Sequence, residues 1–143
     1  ENYCWLYEGV TGTAVSIEDL ILQSERVYNF QRMFNLRLGR GKREDDYPPY
    51  RAMGPVTAIE YESRAERYDK EMREVIGIEP GKLSTLEKMA IIRKYREDRY
   101  ETLVDSVYKR RGWTRDGIPT VNRLIQLGVD FPDVLNLAQK FGG

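Results

Sequence analysis

The chain has 143 residues, of which 41% are hydrophobic and 32% charged, a balance typical of a folded globular domain rather than a disordered segment. Its 23 basic and 23 acidic side chains cancel, and no apolar run approaches the roughly 20 residues that span a bilayer, so neither nucleic acid nor membrane is an expected partner. One cysteine and no histidine exclude a typical zinc site, an iron–sulfur cluster held by this chain alone, and histidine-based acid–base catalysis.

The first predicted element is a helix that is already under way at residues 2–9, without a cap. We interpret this start as the continuation of sequence further upstream. Ser16 is a good N-cap and predicts a long helix over residues 17–38, which Gly39 and Gly41 end. Apolar residues cover most of the circumference of this helix, which predicts a central helix covered by several partners.

The next stretch, residues 39–60, predicts an irregular loop that is polar at first and then fixed by two adjacent prolines. A loop of this length in a compact domain is either functional or disordered. Ser63 followed by Glu66 has the spacing of a capping box and predicts a helix to about residue 75.

A second capping box, Ser84 with Glu87, predicts another long helix to about residue 111, with room for a kink in its charged middle. In the tail, Pro119 predicts the start of a short helix and Pro132 the first position of a last one. The sequence therefore predicts an all-α fold, an irregular orthogonal helical domain of about six helices, two of them long, in one domain over residues 1–143.

Seven polar residues are candidates for a site, because several lie among apolar neighbours and the others lie in the long loop. They are Arg26, Asn29, Asn35, Arg37, Asp45, Asp46 and Arg51. A buried arginine or asparagine needs a partner, since an unsatisfied group costs about 1–3 kcal/mol. These residues either hold an anionic ligand and line a channel or anchor the loop. We favour anchoring, with Asp45 and Asp46 as partners of Arg26 or Arg37.

No catalytic or metal-binding residue is assigned from the sequence. Asp45 and Asp46 are adjacent carboxylates, but a magnesium or calcium site needs more oxygen ligands at defined positions. Arg51 could clamp an anion, although a salt bridge is the simpler interpretation. Cys4 is more typical of a small core residue than of a reactive thiol, and a single cysteine suits a reducing, cytoplasmic compartment.

Several segments, in this order and rough spacing, resemble the C-terminal helical region of the aldehyde ferredoxin oxidoreductases. They are TG at 11–12, ERVYN at 25–29, FNLRLG at 34–39, DDYPPYR at 45–51, and RGWTRDGIPT at 111–120. Each segment alone is weak evidence, but the ordered set covers nearly the whole chain. Pro49 departs from the family pattern, and residues 77–92 resemble an insertion, so the resemblance does not extend to the identity of the aldehyde.

The resemblance implies an enzyme that oxidises aldehydes to carboxylic acids, with tungsten or molybdenum held by two pterin dithiolenes. A four-iron four-sulfur cluster passes the electrons to ferredoxin. It further implies that the N-terminal and middle domains of the same polypeptide hold these cofactors, since Cys4 does not match a cluster cysteine of the family. The chain would then bind none of them alone, be inactive alone, and wall the cofactor and substrate channel.

The sequence is compatible with two other hypotheses. A free-standing helical interaction module without catalysis would explain the capped helices and the ten tyrosines. A small carboxylate-based enzyme ranks third, because no cluster of acidic residues supports it. The sequence leaves the oligomeric state open. If the chain is part of the larger enzyme, we expect apolar surface that the other domains would cover.

Overall fold

The computed structural model describes residues 2–143, and 71% of the structure is helical. Over this range the backbone forms no β-strand, only an isolated bridge between Trp113 and Pro119. The all-α prediction is therefore confirmed. The α-helices of the described residues are α1 (Asn2–Thr11), α2 (Ile17–Arg37), α3 (Ala58–Glu62), α4 (Ala65–Glu71), α5 (Thr85–Arg111), α6 (Val121–Gln126) and α7 (Pro132–Lys140).

Local capping chemistry sets the ends of both long helices, as the sequence predicts. The Ser16 hydroxyl accepts the backbone N–H of Asp19 at 3.0 Å, and the Asp19 carboxylate accepts the backbone N–H of Ser16 in return. Ser84 and Glu87 repeat this arrangement, with 2.8 Å from the Ser84 N–H to the Glu87 carboxylate. Helix α5 then continues without a break to Arg111.

Two predicted helix starts are wrong. Ser63 lies at the C-terminal end of α3, where its hydroxyl donates to the carbonyl of Glu60 at 2.9 Å, and Thr57 is the residue that caps α3. Thr120, rather than Pro119, precedes α6 as its N-cap. Helix α4 follows from Ala65 without a side-chain cap, whereas the Thr120 hydroxyl accepts the N–H of Arg123 at 3.2 Å and so satisfies a donor in the first turn of α6.

The described chain divides into two compact units. The first comprises residues 2–46 and 108–143, and the second comprises residues 47–107. The core of the first unit lies between the last part of α2, the segment around Ile118, and helices α6 and α7. Its members are Met33, Leu36, Ile118, Leu124, Leu127, Val129, Val134 and Ala138.

The second unit has a smaller core that combines aromatic and aliphatic side chains. Tyr61 and Tyr68 stack with their ring centroids 5.1 Å apart, next to Met72 and Ile92. The buried Tyr61 hydroxyl donates to Asp69 at 2.6 Å, so burying this polar group carries no unsatisfied donor. No helix within the described range combines the length and hydropathy that crossing a bilayer requires.

Helix α2 does not bury the apolar face that its sequence suggests. The buried residues of α2 are Asn29, Arg32, Met33 and Leu36, which follow one helical stripe. Four apolar residues on the opposite side are between 49% and 67% exposed, and we call them the α2 ridge: Val27, Phe30, Phe34 and Leu38. The prediction of a central helix covered by several partners is therefore wrong for this side of α2, because the α2 residues that are buried in the core lie on the opposite face.

Candidate functional site

A buried charge forms a polar site in the first unit. The side chain of Arg32 is 8% exposed, and its two terminal nitrogens donate to the two carboxylate oxygens of Asp46 at 2.7 Å each. Its Nε atom donates to the carbonyl of Gly117 at 2.9 Å. Such a bidentate, charge-assisted pair fixes both position and orientation. It therefore ties the loop after α2 and the turn around Gly117 to the C-terminal half of α2.

Aromatic side chains complete this site on two sides. The guanidinium carbon of Arg32 lies 4.7 Å from the ring centroid of Trp113, and the Tyr108 hydroxyl donates to the Asp46 carboxylate. The indole N–H of Trp113 donates to Oδ1 of the fully buried Asn29 at 2.7 Å. We call these five residues the polar cluster. The hydrogen bonds satisfy its buried donors and acceptors, as a low-dielectric interior demands.

The electrostatics of the polar cluster favour a permanent ion pair rather than proton transfer. Burial raises the pKa of Asp46, but hydrogen bonds from Arg32 and Tyr108 outweigh it and hold that pKa below its usual value. Burial, reinforced by the hydrogen bond to Asp46, raises the pKa of Tyr108 to about 12. Near neutral pH the carboxylate thus stays ionised and the phenol stays protonated, so neither group is tuned for acid–base catalysis.

Gly117 lets the backbone approach the polar cluster closely. Its φ is +79°, and a Cβ atom at this position would lie 2.3 Å from Nη2 of Arg32 and 2.8 Å from the Tyr108 hydroxyl. Only glycine combines a left-handed backbone with this close approach. The pair Asp116-Gly117 is by itself a turn signal in the sequence, and the structure shows that this turn brings the Gly117 carbonyl to the buried guanidinium.

Three of the seven predicted residues lie on α2 away from the polar cluster. Arg26 donates to the carbonyl of Leu127 at 2.7 Å, and Arg37 forms an exposed 2.5 Å pair with Asp133. The backbone carbonyl of Asn35 accepts the N–H of residue 40 at 2.9 Å and so helps to end the helix. The contacts of the two arginines join α2 to the segment after α6 and to the start of α7.

The predicted aspartates have different partners from those expected. Asp45 accepts the backbone N–H groups of residues 41 and 42 at 2.7 and 3.0 Å and thereby closes the loop turn. Asp46 pairs with Arg32, so the prediction that Arg26 or Arg37 pairs with these aspartates is wrong. Arg51, in the second unit, forms an exposed pair with Glu60 at 3.2 Å. Of the seven candidates, only Asn29 and Asp46 belong to the polar cluster.

Sequence reasoning missed the residue at the centre of the site, Arg32. A signal existed, because Arg32 follows Asn29 by three residues and precedes Leu36 by four, which places it on the same stripe. The tyrosine and tryptophan of the polar cluster could not be assigned this way. They come from a segment more than 70 residues further along the chain.

A separate feature of the first unit is an open groove between α1 and α2, with a volume of about 690 Å³. Most of its lining is apolar, and at one place the guanidinium of Arg111 stacks on the ring of Tyr28, 3.8 Å from the ring centroid. We call it the α1–α2 groove; Leu6, Val10, Ile17, Ile21, Tyr28 and Arg111 are among its lining residues. The sequence did not predict this groove, since it depends on how α1 lies against α2.

Comparison with known proteins adds one match. A family model described as "Aldehyde ferredoxin oxidoreductase, domains 2 & 3" matches residues 1–129. The matched range includes the whole polar cluster and the α1–α2 groove. No curated protein and no solved structure matches the chain significantly.

Proposed function

The chain belongs to the aldehyde ferredoxin oxidoreductase family, and on that premise we propose that it forms the helical C-terminal part of a tungstopterin oxidoreductase. The whole enzyme would oxidise an aldehyde to a carboxylic acid. Tungsten or molybdenum on two pterin dithiolenes and a four-iron four-sulfur cluster would supply the redox chemistry, and ferredoxin would accept the electrons. The observation that carries this proposal is the family match over residues 1–129.

The residues of this chain do not fit the metal groups of such an enzyme. A four-iron four-sulfur cluster usually takes four cysteine thiolates, whereas the sequence contains one cysteine, Cys4. Between residues 2 and 143, no three His, Cys, Asp or Glu side chains converge as they would around a metal ion. We therefore place the cluster and the metal on other domains of the same polypeptide and assign no chemical step to this chain.

The proposed role of the chain is to wall the cofactor and substrate channel and to pack against those other domains. The α2 ridge supports this role, because contiguous exposed apolar side chains on one helix face are typical of a surface that another protein segment covers. The polar cluster supports it in a second way. It fixes the loop after α2 and the turn at Gly117 to one helix, which would hold these segments of such a wall in place.

The first test separates the chain from the whole enzyme. The chain and the full-length gene product are produced anaerobically with tungstate, their tungsten, molybdenum and iron are measured by mass spectrometry, and aldehyde-dependent viologen reduction is assayed. We expect metal and activity in the full-length protein and neither in the chain. Stoichiometric tungsten or iron in the chain would contradict the proposal. So would a reading frame that starts close upstream and encodes no cysteine cluster, which would favour a free-standing interaction module.

The second test addresses the packing role in the full-length enzyme. Phe34, in the α2 ridge, and Phe131, outside it, have similar exposed fractions of 52% and 56% and form a matched pair. We expect Phe34→Ser to lower metal retention and to increase cleavage by a protease, while Phe131→Ser leaves both unchanged. Equal effects of the two substitutions would refute the assignment of the α2 ridge as an interdomain face.

A further inference from the structure

The α1–α2 groove has the size of a small-molecule site. Its volume of about 690 Å³ lies within the 300–1,000 Å³ typical of ligand sites. From Ile17 to Tyr28, the α2 residues that line it extend for about 16 Å at 1.5 Å per residue. Such a groove suits an extended ligand with an apolar body.

One cation gives the groove a polar end. Arg111 lines the groove at Tyr28, and no acidic side chain among residues 2–143 forms an ion pair with it. The other charged residue among the described lining residues, Glu25, is already paired with Arg123 at 2.9 Å. Of the charges that residues 2–143 bring to the groove, the one left unbalanced is therefore positive, and a single anionic group would complement it.

The position of this cation is held by aromatic stacking. The Arg111 guanidinium lies over Tyr28, and Tyr28 stacks on Trp113 with ring centroids 6.2 Å apart. Trp113 in turn belongs to the polar cluster, where its N–H is bound to Asn29. A guanidinium stacked on a ring keeps its in-plane N–H groups free for a carboxylate. The donor is thus positioned before any ligand arrives.

We propose that the α1–α2 groove binds a small amphipathic anion whose apolar body lies along α1 and α2 and whose terminal anionic group pairs with Arg111. The proposal concerns side chains of this chain only. It goes beyond the redox assignment, and failure to bind such an anion would leave that assignment intact.

The test uses decanoate and decanol, which share an alkyl chain and differ in the anionic group, titrated into the whole chain by calorimetry. We expect decanoate to bind about tenfold more tightly than decanol, the effect of one charge-assisted hydrogen bond at a half-exposed site. Arg111→Gln should remove that difference without changing decanol binding. Arg110→Gln, an exposed neighbour outside the groove lining, should leave it unchanged.

Methyl NMR locates the ligand. Chemical shift changes should concentrate on Ile17, Leu20 and Ile21 and be absent from the α2 ridge. The proposal is overturned if decanoate does not bind, binds no more tightly than decanol, responds equally to the two arginine substitutions, or perturbs the α2 ridge instead. If Arg111→Gln does not fold, the comparison of the two ligands on the unaltered chain, together with the NMR map, still decides.

Discussion

Replacing Arg32 by methionine tests whether the polar cluster stabilises the first unit. The substitution removes two 2.7 Å hydrogen bonds to Asp46 and one to the Gly117 carbonyl while keeping most of the side-chain volume. Breaking a buried pair by removing one partner costs about 3–5 kcal/mol. The Asp46 side chain is 31% exposed, so water can hydrate it once Arg32 is replaced. We therefore expect a loss of unfolding free energy at the lower end of this range, about 3 kcal/mol.

The assay is urea unfolding followed by fluorescence in a Trp5→Phe background. The sequence has two tryptophans, so this background leaves the buried Trp113, which lies 4.7 Å from the Arg32 guanidinium, as the reporter. Asp46→Asn in the same background completes a double-mutant cycle. We expect the double variant to lose about 1–2 kcal/mol less than the sum of the two single losses, since the groups share one interaction.

Arg37→Met is the matched control. Arg37 lies on the same helix and forms a 2.5 Å pair with Asp133, but the two side chains are 55% and 61% exposed. Solvent screening limits such a pair to less than about 1 kcal/mol. The reasoning is refuted if Arg37→Met destabilises the chain as much as Arg32→Met, or if the cycle shows no coupling between Arg32 and Asp46.

Three further predictions use the same unfolding assay or circular dichroism. Gly117→Ala should lower the free energy of unfolding by at least about 2 kcal/mol more than Gly77→Ala does. Both glycines have a φ of +79°, but of the two only Gly117 has other atoms where a Cβ would lie. Equal losses would exclude a steric cause. Folding lowers the pKa of Asp46. The contribution of this carboxylate to the free energy of unfolding is therefore present above its pKa in the unfolded chain, about 3.9, and is lost as the pH falls through its pKa in the folded chain. Stability should therefore drop in acid, and Asp46→Asn should flatten that drop; an unchanged profile would contradict the sign. Ser16→Ala should lower the free energy of unfolding by about 1 kcal/mol and Ser63→Ala by less than about 0.5 kcal/mol. The Ser16 hydroxyl accepts an N–H group at a helix start, whereas Ser63 ends α3 and its hydroxyl only donates to a carbonyl. The reverse order would show that the capping assignment is wrong.

The sequence was informative where neighbours along the chain decide the structure. The capping box at Ser84 uses atoms three residues apart, and the proline at the first position of α7 fixes its own φ, so both starts were predictable. The Ser63 spacing had the same form and failed. Thr57 had already started a helix that ends at this point, and the Ser63 hydroxyl satisfies a carbonyl rather than an N–H group.

The candidate site was only partly predictable, because its contacts are long-range. Asn29 and Asp46 stood out as polar groups in unusual surroundings, but nothing local paired Asp46 with Arg32 or brought Tyr108 and Trp113 to them. The helical spacing could place Arg32 on the stripe of Asn29 and Leu36, but it could not indicate whether that stripe meets solvent or a buried carboxylate. Which of the two occurs depends on the segments that pack against that face.

What the sequence determined by itself was the all-α class, the ends of the long helices, the scarcity of metal ligands and the resemblance to one oxidoreductase family. These depend on composition and on contacts between residues a few positions apart. Only the tertiary structure decided which face of α2 is buried, that Arg32 holds Asp46 and the Gly117 carbonyl, and that α1 and α2 enclose a groove next to Arg111. The physical reason is that burial is a property of the packed chain, since the same apolar and charged side chains satisfy more than one arrangement until their distant partners are in place.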